Sequence, residues 1–238
     1  MPRTRIKICG LTRVEDIQAV VAAGADAIGF VFYPKSPRYV TPEQAASLIA
    51  AIPPYVTTVG LFVNATVEEV RAARAVAPLS LLQFHGDETP EHSAALAGAV
   101  NMPFTQVFRV KPDTRFEDLL EYEQRYRAAS PLFASLLLDT YVDAYGGAGK
   151  VFDWSLIPEE LAPRVVLSGG LSVHNATDAV VAVRPYAVDI SSGVEASKGI
   201  KDARKIADFV AAVRAGDAIL ESPTHHETTV SRQGLSTS

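Results

Sequence analysis

Apolar residues alternate along the chain between two arrangements. Short runs rich in Val, Ile, Leu and Phe cover residues 5–9, 26–31, 57–62, 80–84, 104–107, 133–138, 164–167 and 187–190. Their near-continuous apolar character predicts strands covered on both faces, as in a parallel sheet. Between them lie segments with apolar positions at helical spacing: 14–23, 42–51, 67–77, 90–100, 116–128, 173–183 and 201–213, with a shorter helix over 154–160. Start signals sharpen several of these. Thr41 precedes Pro42 and Glu43, which places a cap, a first-turn proline and a first-turn acid in order.

Eight strands alternating with helices, with strand starts 21 to 31 residues apart, suit a closed (βα)8 TIM barrel or an open doubly wound sheet. The unit count and the absence of a G-x-G-x-x-G fingerprint after the first strand favour the α/β barrel as a single domain over residues 1–215. In such a barrel the chemistry sits at the C-terminal ends of the strands. Polar and special residues collect there: Cys9, Gln83 with His85, Asp139, Ser168-Gly169-Gly170 and Ser191-Ser192-Gly193. From Gly216 the pattern stops; residues 221–238 are rich in Ser, Thr and His, and residues 216–238 read as a disordered tail. His225 and His226 within it have no third ligand nearby and read as solvated rather than metal-binding.

Composition narrows the function classes. Hydrophobic residues are 48% and charged residues 21%, ordinary for a globule. A net charge of −5 argues against a nucleic-acid binder or a polybasic membrane-surface protein, though it permits a local basic pocket for a phosphorylated metabolite. The one cysteine, Cys9, excludes an internal disulfide and a Cys-rich zinc site. Met1-Pro2-Arg3-Thr4-Arg5 is basic but lacks the apolar stretch of a secretory signal, so the expectation is a soluble, cytoplasmic protein.

Each candidate residue has a functional and a plainer reading. The glycine turns after strands seven and eight stand where barrels often build a phosphate site from backbone N–H groups, and their pairing favours that over two tight turns. Cys9 is a base or nucleophile as thiolate, or a small buried hydrophobe. Asp139 closes an apolar run, where partial desolvation keeps a carboxyl protonated longer and suits a general acid; otherwise it caps a loop. Arg38 offers a fork for a carboxylate, or is a loop charge. Gln83 and His85 point to one side of a strand and read as a hydrogen-bonded pair lining the pore. Asp189 either orients substrate hydroxyls or neutralises a Lys or Arg inside the barrel.

Taken together, Lys7-Ile8-Cys9-Gly10-Leu11-Thr12, Ser36-Pro37-Arg38-Tyr39, Gln83-Phe84-His85-Gly86, Leu137-Leu138-Asp139, Gly146-Gly147-Ala148-Gly149 with Phe152-Asp153-Trp154, Leu167-Ser168-Gly169-Gly170-Leu171, and Asp189-Ile190-Ser191-Ser192-Gly193-Val194-Glu195 resemble the phosphoribosylanthranilate isomerases. The likeness runs from about residue 4 to residue 214. It implies a cofactor-free barrel enzyme of tryptophan biosynthesis, in which N-(5-phosphoribosyl)anthranilate undergoes an Amadori rearrangement to 1-(2-carboxyphenylamino)-1-deoxyribulose 5-phosphate. By motif, Asp139 is then the acid and Cys9 the base. Arg38 holds the anthranilate carboxylate, Gly169, Gly170, Ser192 and Gly193 hold the phosphate, and Asp189 lies on the substrate side. The implied partner is a small phosphosugar, with no metal, nucleic acid or membrane, and the chain is a monomer or homodimer. Other phosphosugar barrels compete: a metal-dependent epimerase wants several His and Asp at strand ends, and a synthase wants a Lys and Glu pair. A non-catalytic phosphometabolite binder would need neither Cys9 nor Asp139.

Overall fold

The computed structural model describes residues 3–140 and 151–222. Gly146 to Gly149 and the pair His225 and His226 lie outside the described residues. Strands β1 (Arg5–Cys9), β2 (Ala27–Val31), β3 (Thr57–Phe62), β4 (Leu81–Phe84), β5 (Phe104–Val110), β6 (Phe133–Thr140), β7 (Val165–Leu167) and β8 (Ala187–Ile190) close into a barrel in sequence order. Every neighbouring pair is parallel, and β1 closes the ring on β8 with Lys7 opposite Asp189. Around it stand α1 (Val14–Ala22), α2 (Pro42–Ile49), α3 (Val67–Val76), α4 (Pro90–Val100), α5 (Phe116–Ala129), α6 (Ala176–Val183) and α7 (Ala203–Glu221).

Two-residue periodicity divides each strand between two environments. Ile6, Ile8, Ile28, Phe30, Phe62, Leu82, Phe84, Leu136, Leu138 and Val188 join the continuous core between sheet and helices. The alternate positions, Lys7, Cys9, Gly29, Val31, Leu61, Gln83, Leu137, Asp139 and Asp189, turn into the barrel, where Cys9, Val31 and Leu61 form a separate small cluster. This parity carries function: a chemically active side chain at a strand end reaches the barrel mouth only from the inward set. Local signals hold the outer layer in place. Thr41 with Gln44 and Thr66 with Glu69 form reciprocal capping boxes at α2 and α3, each cap contributing about 1 kcal/mol.

Several element boundaries differ from those expected. The helix expected from residue 173 begins at Ala176, because Asn175 folds back to accept from the Ser172 N–H and donate to the Gly170 carbonyl. The helix expected over 154–160 is one 3-10 turn, Trp154–Leu156, capped by Asp153, with Pro158 just beyond. Residues 195–201 make an unforeseen hairpin, β9 (Glu195–Ser197) and β10 (Ile200–Lys201), and α7 starts after it behind Asp202. The domain boundary expected at residue 215 falls inside α7, which continues to Glu221. Gly216 is not a stop there: a Cβ on it would lie 2.8 Å from Val180, so it is the small residue where α7 crosses α6. Asp217 then accepts from the Thr4 N–H at 2.9 Å and tethers the last turns to the start of β1.

Candidate active site

The inward residues at the C-terminal ends of the strands converge. Cys9 ends β1 and is 5% exposed. Its sulfur fits because β2 offers Gly29 opposite; a Cβ there would stand 2.7 Å from Sγ and 3.2 Å from Cε of Lys7. Burial pushes the Cys9 thiol up, opposed by the nearby Lys7 and Lys201 ammonium groups, and the net direction is upward. Lys7 donates to Oδ1 of Asp189 at 2.8 Å, with both side chains under 10% exposed. Burial acts against the Lys7 charge, but attraction to Asp189 and Cys9 and the hydrogen bond to Asp189 hold the ammonium above its usual range. Of the two readings open for Asp189, the structure supports the neutraliser of a barrel lysine; its carboxylate is 5% exposed and already engaged.

Asp139 stands on the opposite arc, on β6. Nε2 of His85 lies 3.2 Å from its Oδ2. The expected Gln83 and His85 pair is present, Nε2 of Gln83 being 3.1 Å from Nδ1 of His85. An amide N–H donating to Nδ1 leaves the ring proton on Nε2, aimed at Asp139. The other oxygen of Asp139 faces the loop after β7, since a Cβ on Gly169 would lie 2.8 Å from Oδ1.

That loop needs glycine. Gly169 and Gly170 have φ of +79° and +68°, the left-handed region that side chains disfavour, and a Cβ on Gly169 would also meet the Thr140 N at 2.4 Å. Gly193, in the 3-10 turn Ser192–Val194 after β8, packs against this loop so tightly that its Cβ would sit 2.4 Å from the Leu171 carbonyl. The loop carrying Gly169 and Gly170 and the turn carrying Ser192 and Gly193 are thus packed against each other after β7 and β8.

Arg38 reaches the mouth from the loop after β2 and lies over Gly10, whose φ is +78° and whose Cβ would stand 2.5 Å from Cδ of Arg38. Its fork already grips a carboxylate of this chain. Nε and Nη2 donate to the two oxygens of Glu195 at 2.7 and 2.9 Å, and Nη1 has no hydrogen-bond partner among the described residues. Glu195 also accepts from Nζ of Lys201 at 3.0 Å, and Lys201 donates to the carbonyl and hydroxyl oxygens of Ser191. Despite its burial, these partners hold the Glu195 carboxyl below the usual carboxylate range. Ser191 Oγ in turn donates to the Cys9 carbonyl at 3.0 Å. Lys201 and the pairing roles of Glu195 and His85 are absent from the sequence reading. Strand parity could have linked His85 to Asp139; nothing local announces Lys201, which the hairpin carries in.

Among the described residues no helix is long and apolar enough to cross a membrane. The model of the N-(5'-phosphoribosyl)anthranilate (PRA) isomerase family matches residues 6–212. The chain is 70% identical over 220 residues to the N-(5'-phosphoribosyl)anthranilate isomerase of Herminiimonas arsenicoxydans, covering 92% of this chain and 97% of that one. It is 58% identical to the enzyme of the same name from Dechloromonas aromatica, covering 90% of this chain and 98% of that one. Among solved structures it is similar to phosphoribosyl anthranilate isomerase from Thermotoga maritima, with a TM-score of 0.78, 41% identity and coverage of 89% and 98%. It is also similar to a phosphoribosyl anthranilate isomerase in complex with reduced 1-(o-carboxyphenylamino)-1-deoxyribulose 5-phosphate, with a TM-score of 0.75, 39% identity and the same coverage. With a barrel whose acid, thiol and glycine loops stand as described, the chain belongs to the N-(5'-phosphoribosyl)anthranilate isomerase family.

Proposed function

We propose that Cys9 and Asp139 carry the family's reaction in this chain as general base and general acid. The reaction is the isomerisation of N-(5-phosphoribosyl)anthranilate to 1-(2-carboxyphenylamino)-1-deoxyribulose 5-phosphate in tryptophan biosynthesis. The observation that carries the assignment is the placement of the two groups on opposing arcs of one mouth, each from the inward set of its strand.

In the first step Oδ1 of Asp139, facing the glycine loop, gives its proton to the ribose ring oxygen. The His85 Nε2–H meanwhile donates to Oδ2, which fixes which oxygen holds the acid proton. The bond from C1 to the ring oxygen breaks as the anilino nitrogen lone pair forms a Schiff base. Its positive nitrogen acidifies the C2 proton, which the Cys9 thiolate removes, and that electron pair forms the enolamine. Tautomerisation then moves the C2 hydroxyl proton to Asp139 and the Cys9 proton to C1. Both groups are restored and the reaction is proton-neutral. The paired loops at Gly169-Gly170 and Ser192-Gly193 hold the phosphate, and Nη1 of Arg38 meets the anthranilate carboxylate. Asp189 acts from beneath the substrate through Lys7.

Cys9→Ser tests the assignment. The variant should fold normally and lose most turnover, since a hydroxyl is a far poorer base than a thiol near neutral pH. Alkylation of the wild-type thiol should abolish activity, and product should protect. A fully active Cys9→Ser enzyme would remove the proposed base.

A further inference from the structure

We propose that Lys7, anchored by Asp189, is a positioning residue that offsets the cost of ionising the buried Cys9 sulfur, so that Asp189, Lys7 and Cys9 work as one unit. The inference rests on Cys9 being the base. A thiol 5% exposed inside a barrel is poorly placed to ionise, because burial disfavours the charged form. A base must nevertheless be a thiolate when the Schiff base forms.

The fold supplies a compensating charge at short range. Lys7 and Cys9 are two positions apart on β1, so both turn inward. Gly29 leaves a gap that the sulfur and the end of the lysine stem share, both within 3.2 Å of one point. Lys7 donates to Asp189, and its ammonium is a favourable charge beside the sulfur. The groups around Cys9 can be named strand by strand. β1 contributes Lys7, and β8 contributes Asp189, whose charge opposes ionisation of the thiol but also keeps Lys7 protonated and in place. β10 contributes Lys201, already held by Glu195 and Ser191. β2 contributes Gly29 and Val31, β3 contributes Leu61, and Tyr33 and Val63 pack from the loops beyond. Of the two cations, Lys7 acts more strongly on the sulfur, and it shares with it the gap opposite Gly29.

Cys9 is the single cysteine, so thiol titration reads this site alone. The pH dependence of iodoacetamide alkylation and of ultraviolet thiolate absorbance should be compared between wild type and Lys7→Met. The titration midpoint should rise by about one to three units in the variant, and the alkaline-going limb of kcat/KM should move with it. Affinity for the product should change little. Lys7→Arg, which keeps a charge, should restore part of the shift. If Lys7→Met does not fold because Asp189 is left buried and unpaired, Lys7→Met with Asp189→Asn removes the whole pair and should raise the midpoint too. An unchanged midpoint in the folded variant would overturn the inference while leaving Cys9 as base. Full activity of Cys9→Ser would instead overturn the base assignment, whatever Lys7 does to the thiol.

Discussion

Glu195 grips Arg38 from beneath, its two carboxylate oxygens 2.7 and 2.9 Å from Nε and Nη2. The residues are 157 positions apart, and the pair joins the loop after β2 to the hairpin after β8. A bidentate pair fixes the plane of a guanidinium as well as its position. On the proposed assignment, substrate would meet an arginine already oriented by Glu195.

Arg38→Ala should weaken product binding, since a hydrogen bond to a charged group contributes about 1.5–3 kcal/mol, roughly 10- to 150-fold. Calorimetric titration with product measures this. Equal affinity in the variant would make Arg38 a structural charge only.

Acid should loosen this corner first. Glu195 is held below the ordinary carboxylate range in the folded chain. Its contribution to stability is thus complete above the unfolded value of about 4.3 and is lost as pH falls through the folded value. Denaturant midpoints taken from neutral to acid pH should fall less steeply for Glu195→Gln than for wild type in that window. Parallel curves would show that Glu195 gains nothing on folding.

Asp139→Asn should stay folded and lose about 10²- to 10⁴-fold in turnover, the range general acids supply. The amide keeps the shape and can still accept from His85, but has no proton to give the ring oxygen. Single-turnover rates separate this from slow product release. More than a third of wild-type turnover would rule the role out.

Gly169→Ala should cost stability and phosphate affinity together. The backbone has φ +79° and a Cβ there would stand 2.4 Å from the Thr140 N. Strain of this kind costs of order 1–3 kcal/mol. Chemical denaturation and inhibition by inorganic phosphate would report the two losses, and a neutral substitution would mean the loop has room it does not show.

Ending the chain after Gly216 rather than after Ser222 should lower the thermal midpoint. The shorter form loses Asp217, which accepts from the Thr4 N–H at 2.9 Å and from Nη1 of Arg214 at 3.0 Å. Bonds to a charged group put the loss at roughly 1.5–3 kcal/mol, about 3–10 °C. Equal midpoints for the two forms would mean that this tether adds nothing.

Much of this was legible along the chain because it is local. Eight apolar runs spaced by amphipathic segments specify the barrel, and caps such as Thr41 with Pro42 mark helix starts, since strand and helix periods and cap bonds act within a few residues. Cys9, Asp139 and the glycine turns were visible as polar or special residues at strand ends, where a parallel barrel gathers its chemistry. The partners of those residues were not. Lys7 with Asp189, Arg38 with Glu195 and His85 with Asp139 lie 182, 157 and 54 positions apart, and no local period relates them. Ring closure of β1 on β8 brings Lys7 against Asp189, and the hairpin after β8 brings Glu195 and Lys201 to the mouth. The end of α7 was misjudged for the same reason. A glycine and falling periodicity read as a stop, whereas the close crossing over Val180 requires that glycine and the bond from Thr4 holds the turn beyond it. The sequence by itself determined which residues could react; only the closed barrel decided which charge faces each of them, because burial and proximity belong to the assembled ring and not to any segment of it.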